Sequence, residues 1–159
     1  DLGRQVLFLY ENGTLLKTLP VSTGSGEEFC SEGSCRTAVT NEGEFKIYRQ
    51  VQGWDSGPLG DLYNPQYFDG GIAIHGSTSV PQAPASHGCV RIPMHAAEWF
   101  PEHVSLGTPV YVVAGGQTEA VPRPTASTSP PAAAATPAPA ATPAPSPLAV
   151  LLAALLGQR

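Results

Sequence analysis

Residues 85–93, "ASHGCVRIP", place Ser86, His87, Gly88 and Cys89 in a row, and the stretch "GIAIHG" at 71–76 brings a second histidine, His75, close by in sequence. A thiol near histidines offers three chemistries: a nucleophile with a general base, a metal site, or an inert cysteine. Inertness suits a cysteine in an apolar strand, whereas Cys89 follows Ser86, His87 and Gly88, and a glycine beside a reactive atom lets a substrate backbone approach. As metal ligands, His75, His87 and Cys89 would make three. Zinc sites usually draw close pairs from two segments, and no second pair lies nearby, so neither metal nor cofactor is expected. The favoured reading is a cysteine nucleophile with a histidine base from a neighbouring strand.

The elements that must position these residues read as mostly β over 1–114. In "RQVLFLYENGTLLKTLPVS" apolar runs flank Asn12-Gly13, the dipeptide suited to a two-residue hairpin turn. "GEFKIYRQV" alternates Phe45, Ile47 and Arg49 with Lys46, Tyr48 and Gln50, and "GIAIH" and "TPVYVV" are further short β-rich runs. "IPMHAAEWF" is the exception: Pro93 suits a first helical turn and the Met, Ala and Glu after it favour helix. A helix starting just after Cys89 would set the thiol at its positive end, favouring thiolate.

The 159 residues suit one compact domain plus an extension, and a net charge of −5 lacks the basic stripe that nucleic acid would require. The chain begins at Asp1, which points to a processed product or an excised fragment. From Gly116 the composition turns to Pro, Ala, Thr and Ser, so residues 115–147 read as a disordered linker. Residues 148–159 form a short tail whose nine apolar residues, Leu148 to Leu156, fall short of the roughly 20 that span a bilayer. That tail is either a truncated anchor or merely apolar. Cys30 and Cys35 enclose Ser, Glu and Gly in an easily closed loop; a disulfide, half a metal site and two idle thiols are the alternatives, with the disulfide favoured for an exported protein.

"IHG" followed by "SHGCVR" resembles the active-site signature of the L,D-transpeptidases, the YkuD family of bacterial cell-wall enzymes, and "DLGRQVLFLYENGTLLKTLPVSTG" resembles the family's opening hairpin and its Val-Ser-Thr-Gly turn. "PLGDLYNPQYFDGGIAIHGS" looks like members from high-GC Gram-positive bacteria. The likeness covers about residues 1–114 and implies a mainly β, YkuD-like β-sandwich with a short helix after the cysteine. Two departures stand out. "TAVTNEGEF" lacks the proline of the family's usual Thr-Pro-x-Gly stretch, and the spacer from His75 to Ser86 is short and carries Pro81 and Pro84.

The resemblance implies that Cys89 attacks the carbonyl between diaminopimelate and the terminal D-alanine of a tetrapeptide stem. A thioester forms, and an amine of a second stem resolves it into a cross-link; with water instead, the enzyme is a carboxypeptidase. Peptidoglycan stems would be donor and acceptor for an enzyme expected to be a monomer outside the cytoplasm, at the wall or envelope, with any membrane attachment left to a missing N-terminal or to the C-terminal segment. His75 is the preferred base, one ring nitrogen near the sulfur and the other held by the carbonyl of Gly76 or Ser77. His87 is the rival, or a brace for the loop. The amides of His87, Gly88 and Cys89 suit an oxyanion hole at a loop-to-helix junction. Arg91 is expected to hold a stem carboxylate, or to be a surface arginine; Ser86 is assigned to substrate binding, and Tyr67 and Phe68 to the donor groove or to core packing. A wall-binding module without turnover stays open as a second class.

Overall fold

The structure is a computed structural model that describes residues 1–115. It opens with the expected hairpin: β1 (Val6–Glu11) and β2 (Thr14–Pro20) pair antiparallel about Asn12 and Gly13, whose φ values of 49° and 77° are those the tight turn demands. A second hairpin, β3 (Glu28–Ser31) and β4 (Ser34–Thr37), turns at Glu32-Gly33 and sets Cys30 opposite Cys35, which form a disulfide. Of the three alternatives for this pair the structure holds the disulfide, so neither sulfur is a free metal ligand.

The run from Gly43 to Gln50 is not one strand. β5 (Gly43–Lys46) pairs with the last strand, β11 (Pro109–Val112), while β6 (Arg49–Gln50) pairs with β8 in a different sheet. Between them Ile47 donates its N–H to Thr108 at 2.9 Å and Tyr48 donates to Tyr67 at 2.9 Å, so the chain changes partners mid-run. Ile47, 1% exposed, is among the most buried side chains.

The sheet that carries the site has five strands in the order β10-β9-β8-β6, with β7 also alongside β8. β7 (Trp54–Gly57) and β8 (Gly60–Asp69) form a hairpin, followed by β9 (Ile72–Ser77) and β10 (Val90–Pro93). β10 runs parallel to β9, and the other pairings are antiparallel. Asn64-Pro65 would end a regular strand; here it makes a bulge, with the register shifting between Tyr63 and Gln66. Asn64 tolerates the positive φ of 48°, and its side chain accepts from Gly53 N–H at 2.6 Å and donates to Ala97 O at 2.9 Å.

One short helix, α1 (Met94–Trp99), follows β10 and runs into a 3-10 turn at Phe100–Glu102. Pro93 caps it without a side-chain hydrogen bond, so the helix depends on burying Ala96 and Ala97. Those alanines and Gly76 are small where α1 meets β9: a Cβ on Gly76 would lie 2.7 Å from Ala97 Cβ and 3.0 Å from Tyr63 Cδ1. The core around this contact includes Leu9, Leu19, Phe68, Ile74, Ile92 and Phe100. The mainly β fold with a single short helix is the one expected. The linker at 115–147 (past Gly115) and the apolar tail at 148–159 lie outside the described residues.

The Gly76 contact yields a stability test. Gly76→Ala is expected to destabilise the fold by about 1–3 kcal/mol in urea unfolding, the usual cost of overpacking. Combined with Ala97→Gly, the loss should be smaller than the sum of the two single losses, because the clashing methyl is gone.

Candidate active site

Parallel pairing of β9 with β10 brings the two motifs together. Val90 faces Ile74 and Arg91 faces His75 in register. Side chains alternate along a strand, so Arg91 and His75 share a face and Cys89, two residues before Arg91, joins them. All three line one cavity of about 460 Å³. His75 is 5% exposed, and its Nδ1 lies 2.9 Å from the Gly76 carbonyl oxygen. A carbonyl only accepts, so Nδ1 carries the proton and donates, and Nε2 is left as the basic nitrogen.

Burial, rather than a helix dipole, sets the electrostatics. α1 begins at Met94, beyond all of β10, so Cys89 does not sit at its end, and the expected help from the helix terminus is absent. Desolvation pushes the Cys89 thiol above its ordinary range, opposed by the Ala73 backbone and the Arg91 guanidinium. His75 moves the other way: burial, with a smaller push from Arg91, lowers it, and the Gly76 carbonyl opposes the shift. Both shifts favour the neutral forms, thiol and imidazole.

The loop that presents Cys89 is fixed from inside and outside. Ser86, 3% exposed, accepts from Gly88 N–H at 3.0 Å and donates to Cys89 O at 2.6 Å. This serine shapes the loop from within, although it also touches the cavity wall. The Gly88 amide is thus engaged, so of the three successive amides expected to serve an oxyanion it is already bonded within the loop, at a loop-to-strand junction. Gly88 has φ 132°, and a Cβ there would lie 2.9 Å from Val39 O, so only glycine fits.

From outside, the Val21–Gly24 segment serves as a clamp. Ser22 exchanges two backbone hydrogen bonds with Arg91 at 3.1 and 2.9 Å, and Thr23 O accepts from Ala85 and Ser86, each at 2.9 Å. Ser22 Oγ donates to Ala83 O at 2.8 Å, pinning the short spacer that holds Pro81 and Pro84. Thr40, in the segment lacking the family's proline, donates its hydroxyl to Gly88 O at 2.6 Å and accepts from Gly24 N–H at 2.9 Å. Nothing in the sequence around Thr40 singles it out.

His87 is exposed on the cavity wall and its ring lies 4.6 Å from the ring of Phe29 in β3. Tyr67 and Phe68 are not brought to the site. Phe68 is buried in the core, 5.5 Å from Phe45, while the buried Tyr67 donates its hydroxyl to Asp55 at 2.8 Å. Of the two expectations for this pair, donor groove or packing, the structure holds packing: neither lines the cavity. Sequence reasoning missed the other wall, where the tip of the β7–β8 hairpin brings Leu59, Gly60, Asp61 and Leu62 to the cavity.

Residues 1–112 match the profile of the L,D-transpeptidase catalytic domain, YkuD. Among solved structures the chain is similar to an L,D-transpeptidase of Xylanimonas cellulosilytica, with 39% identity and a TM-score of 0.68, over 71% of this chain and 57% of that one. It is similar to one from Stackebrandtia nassauensis, with 26% identity and a TM-score of 0.57, over 71% and 52% of the two chains. In fold alone it resembles the catalytic domain of an Enterococcus faecium L,D-transpeptidase, with 22% identity and a TM-score of 0.53, over 71% of this chain and 92% of that one. No curated protein matches the chain. The chain spans little more than half of the Xylanimonas and Stackebrandtia structures.

The opposed shifts of His75 and Cys89 predict a stability maximum. His75 is lowered on folding, so its contribution is full above about pH 6.5 and is lost as pH falls through the folded value. Cys89 is raised, so its contribution is full below about pH 8.5 and is lost as pH climbs through the folded value. Urea midpoints across pH 5–10 should show an acid decline that shrinks in His75→Ala and an alkaline decline that shrinks in Cys89→Ala. Separately, Thr40→Val should cost about 1–3 kcal/mol in the same assay, because it strips the buried Gly88 carbonyl of its hydroxyl partner.

Proposed function

The chain belongs to the YkuD family of L,D-transpeptidase catalytic domains, and on that premise we propose that it is a cysteine-dependent L,D-transpeptidase of peptidoglycan. The observation that carries this reading is the cavity shared by Cys89 and His75, with His75 Nδ1 held by Gly76 O. In the proposed reaction Cys89 Sγ attacks the carbonyl between diaminopimelate and the terminal D-alanine of a tetrapeptide stem. As the S–C bond forms, the thiol proton passes to His75 Nε2. The carbonyl oxygen takes up negative charge and is met by the amides of His87 and Cys89. Collapse of this intermediate breaks the C–N bond, the proton on His75 goes to the departing amine, and D-alanine leaves behind a thioester. An amine of a second stem then attacks the thioester, gives a proton to His75, and releases the thiol with a new amide bond.

The neutral resting state suits this order of events. A half-buried thiol and a buried neutral imidazole avoid holding two ions in a partly desolvated cavity, and charge appears only when the substrate carbonyl is present to accept it. Arg91, opposite His75, opposes protonation of the imidazole and offers a guanidinium to a stem carboxylate. His87, stacked on Phe29, braces the loop. A peptidoglycan substrate places the protein in the cell envelope, where an oxidising setting would also keep the Cys30–Cys35 disulfide. Water in place of the second amine would make the same site a carboxypeptidase.

The upward push on Cys89 favours a second reading, a wall-binding module whose thiol does not turn over. A carbapenem separates the two, since its strained carbonyl acylates a competent thiol. Intact-protein mass spectrometry should show one adduct, on the peptide containing Cys89 and missing from Cys89→Ala. His75→Ala should slow acylation by at least about 100-fold, the usual scale for losing a general base, and His87→Ala much less. A wild-type protein that stays unmodified, or an adduct that persists in Cys89→Ala, would turn the assignment over to the binding module.

A further inference from the structure

The four arginines of the described residues divide into two kinds. Arg4 pairs with Asp1 at 2.7 Å and Arg49 with Asp55 at 2.9 Å. Arg36 and Arg91 make no ion pair among the described residues, and both line the cavity that holds Cys89. Asp61 is the one acidic side chain on that wall, so two guanidinium groups face a single carboxylate within a chain whose net charge is −5. The cavity has the opposite electrostatic sign to the rest of the molecule, as a binding site for an anion would.

Arg36 differs from Arg91 in how it is held. Arg91 is fixed by β10 and its hydrogen bonds to Ser22, whereas Arg36 stands on β4, outside the catalytic sheet. In the register of that hairpin Arg36 faces Phe29, and the next pair is Cys30 with Cys35. Alternation puts the disulfide on one face and Arg36 with Phe29 on the other. The Arg36 guanidinium lies 5.3 Å from the Phe29 ring centroid, and the Phe29 ring lies 4.6 Å from that of His87. Guanidinium, phenyl and imidazole thus form one cluster that ties an exposed arginine to the loop of Cys89. A long side chain that would otherwise sample many rotamers is aimed at the cavity by its neighbours, which lowers the entropy lost on gripping a ligand.

We propose that Arg36 is a specificity-determining residue that selects peptide stems bearing a free carboxylate over their amidated forms, and that the disulfide-closed β3–β4 hairpin positions it. The proposal rests on the transpeptidase reading for the identity of the ligand. A carboxylate offers two acceptor oxygens to the guanidinium fork, whereas an amide replaces one of them with a donor and loses the charge.

The test measures binding with Cys89→Ala in the full chain, so that no acyl-enzyme forms, and uses a synthetic tetrapeptide stem with free carboxylates beside its amidated counterpart. Arg36→Gln is expected to weaken binding of the carboxylate stem about five- to tenfold, the scale of one partly exposed charged hydrogen-bonding pair, and to leave the amidated stem within about twofold. Arg36→Lys should restore part of the preference. Replacing Cys30 and Cys35 by serine keeps the charge but should reduce the preference in the same direction. An unchanged ratio between the two stems in Arg36→Gln overturns the proposal, and an unchanged ratio in the serine pair overturns the role of the hairpin. Turnover is measured apart, with Cys89 intact: stems bound with this preference but never processed reject the transpeptidase reading and keep Arg36. Stems processed with the same preference in wild type and Arg36→Gln reject Arg36 and keep the reaction.

Discussion

A short parallel pairing between β9 and β10 holds the site together. It sets Arg91 against His75 and leaves Cys89 at the edge of the same face, although 14 positions (89 − 75) separate thiol from imidazole in the chain. Parallel strands need a crossover, and here the crossover is the spacer that ends in the Ser86–Cys89 loop. The link that makes the pairing topologically possible therefore also presents the thiol of Cys89. Ser22, hydrogen-bonded to the far edge of β10 through Arg91, keeps that edge from being left open.

Close backbone approach is the second constraint. Gly88 lies where a Cβ would meet Val39 O at 2.9 Å, and Gly24 where one would meet Ala38 O at 2.4 Å. These glycines let three separate segments, 21–25, 38–40 and 85–89, touch through backbone, and Thr40 joins all three with one hydroxyl. A loop bonded this way loses few degrees of freedom when a substrate arrives, which favours preorganised donors over ones assembled on binding. Gly76 serves the opposite side of the sheet, where it lets α1 settle on β9.

Burial then gives the site its electrical character. Both titrating groups are moved towards their neutral forms, the thiol up and the imidazole down, and the cation that opposes the first shift reinforces the second. Arg91 thereby acts on both groups at once. The exposed rim carries the remaining charge, with Arg36 and Asp61 on separate hairpins on opposite walls.

The sequence by itself determined the β character, the Asn12-Gly13 hairpin, the short helix after Pro93, and Cys89 with His75 as the residues to watch. Each of these is written in local terms: turn chemistry, alternation, helix propensity and adjacency of reactive types. It also carried the close pair Cys30 and Cys35, since a short loop brings their side chains together in most conformations. What only the tertiary structure decided is set by contacts distant in sequence. Gly43–Gln50 alternates like one strand, but its two halves have different partners, because Ile47 is drawn into the core between two sheets. Tyr67 and Phe68 lie beside the motif in sequence, yet they pack against Asp55 and Phe45, away from the cavity. The environment of the Cys89 thiol is likewise decided by the fold. The helix-favouring run follows it closely in sequence, but four residues of strand intervene, and the desolvation that raises the thiol comes from residues folded around it rather than from its neighbours in the chain.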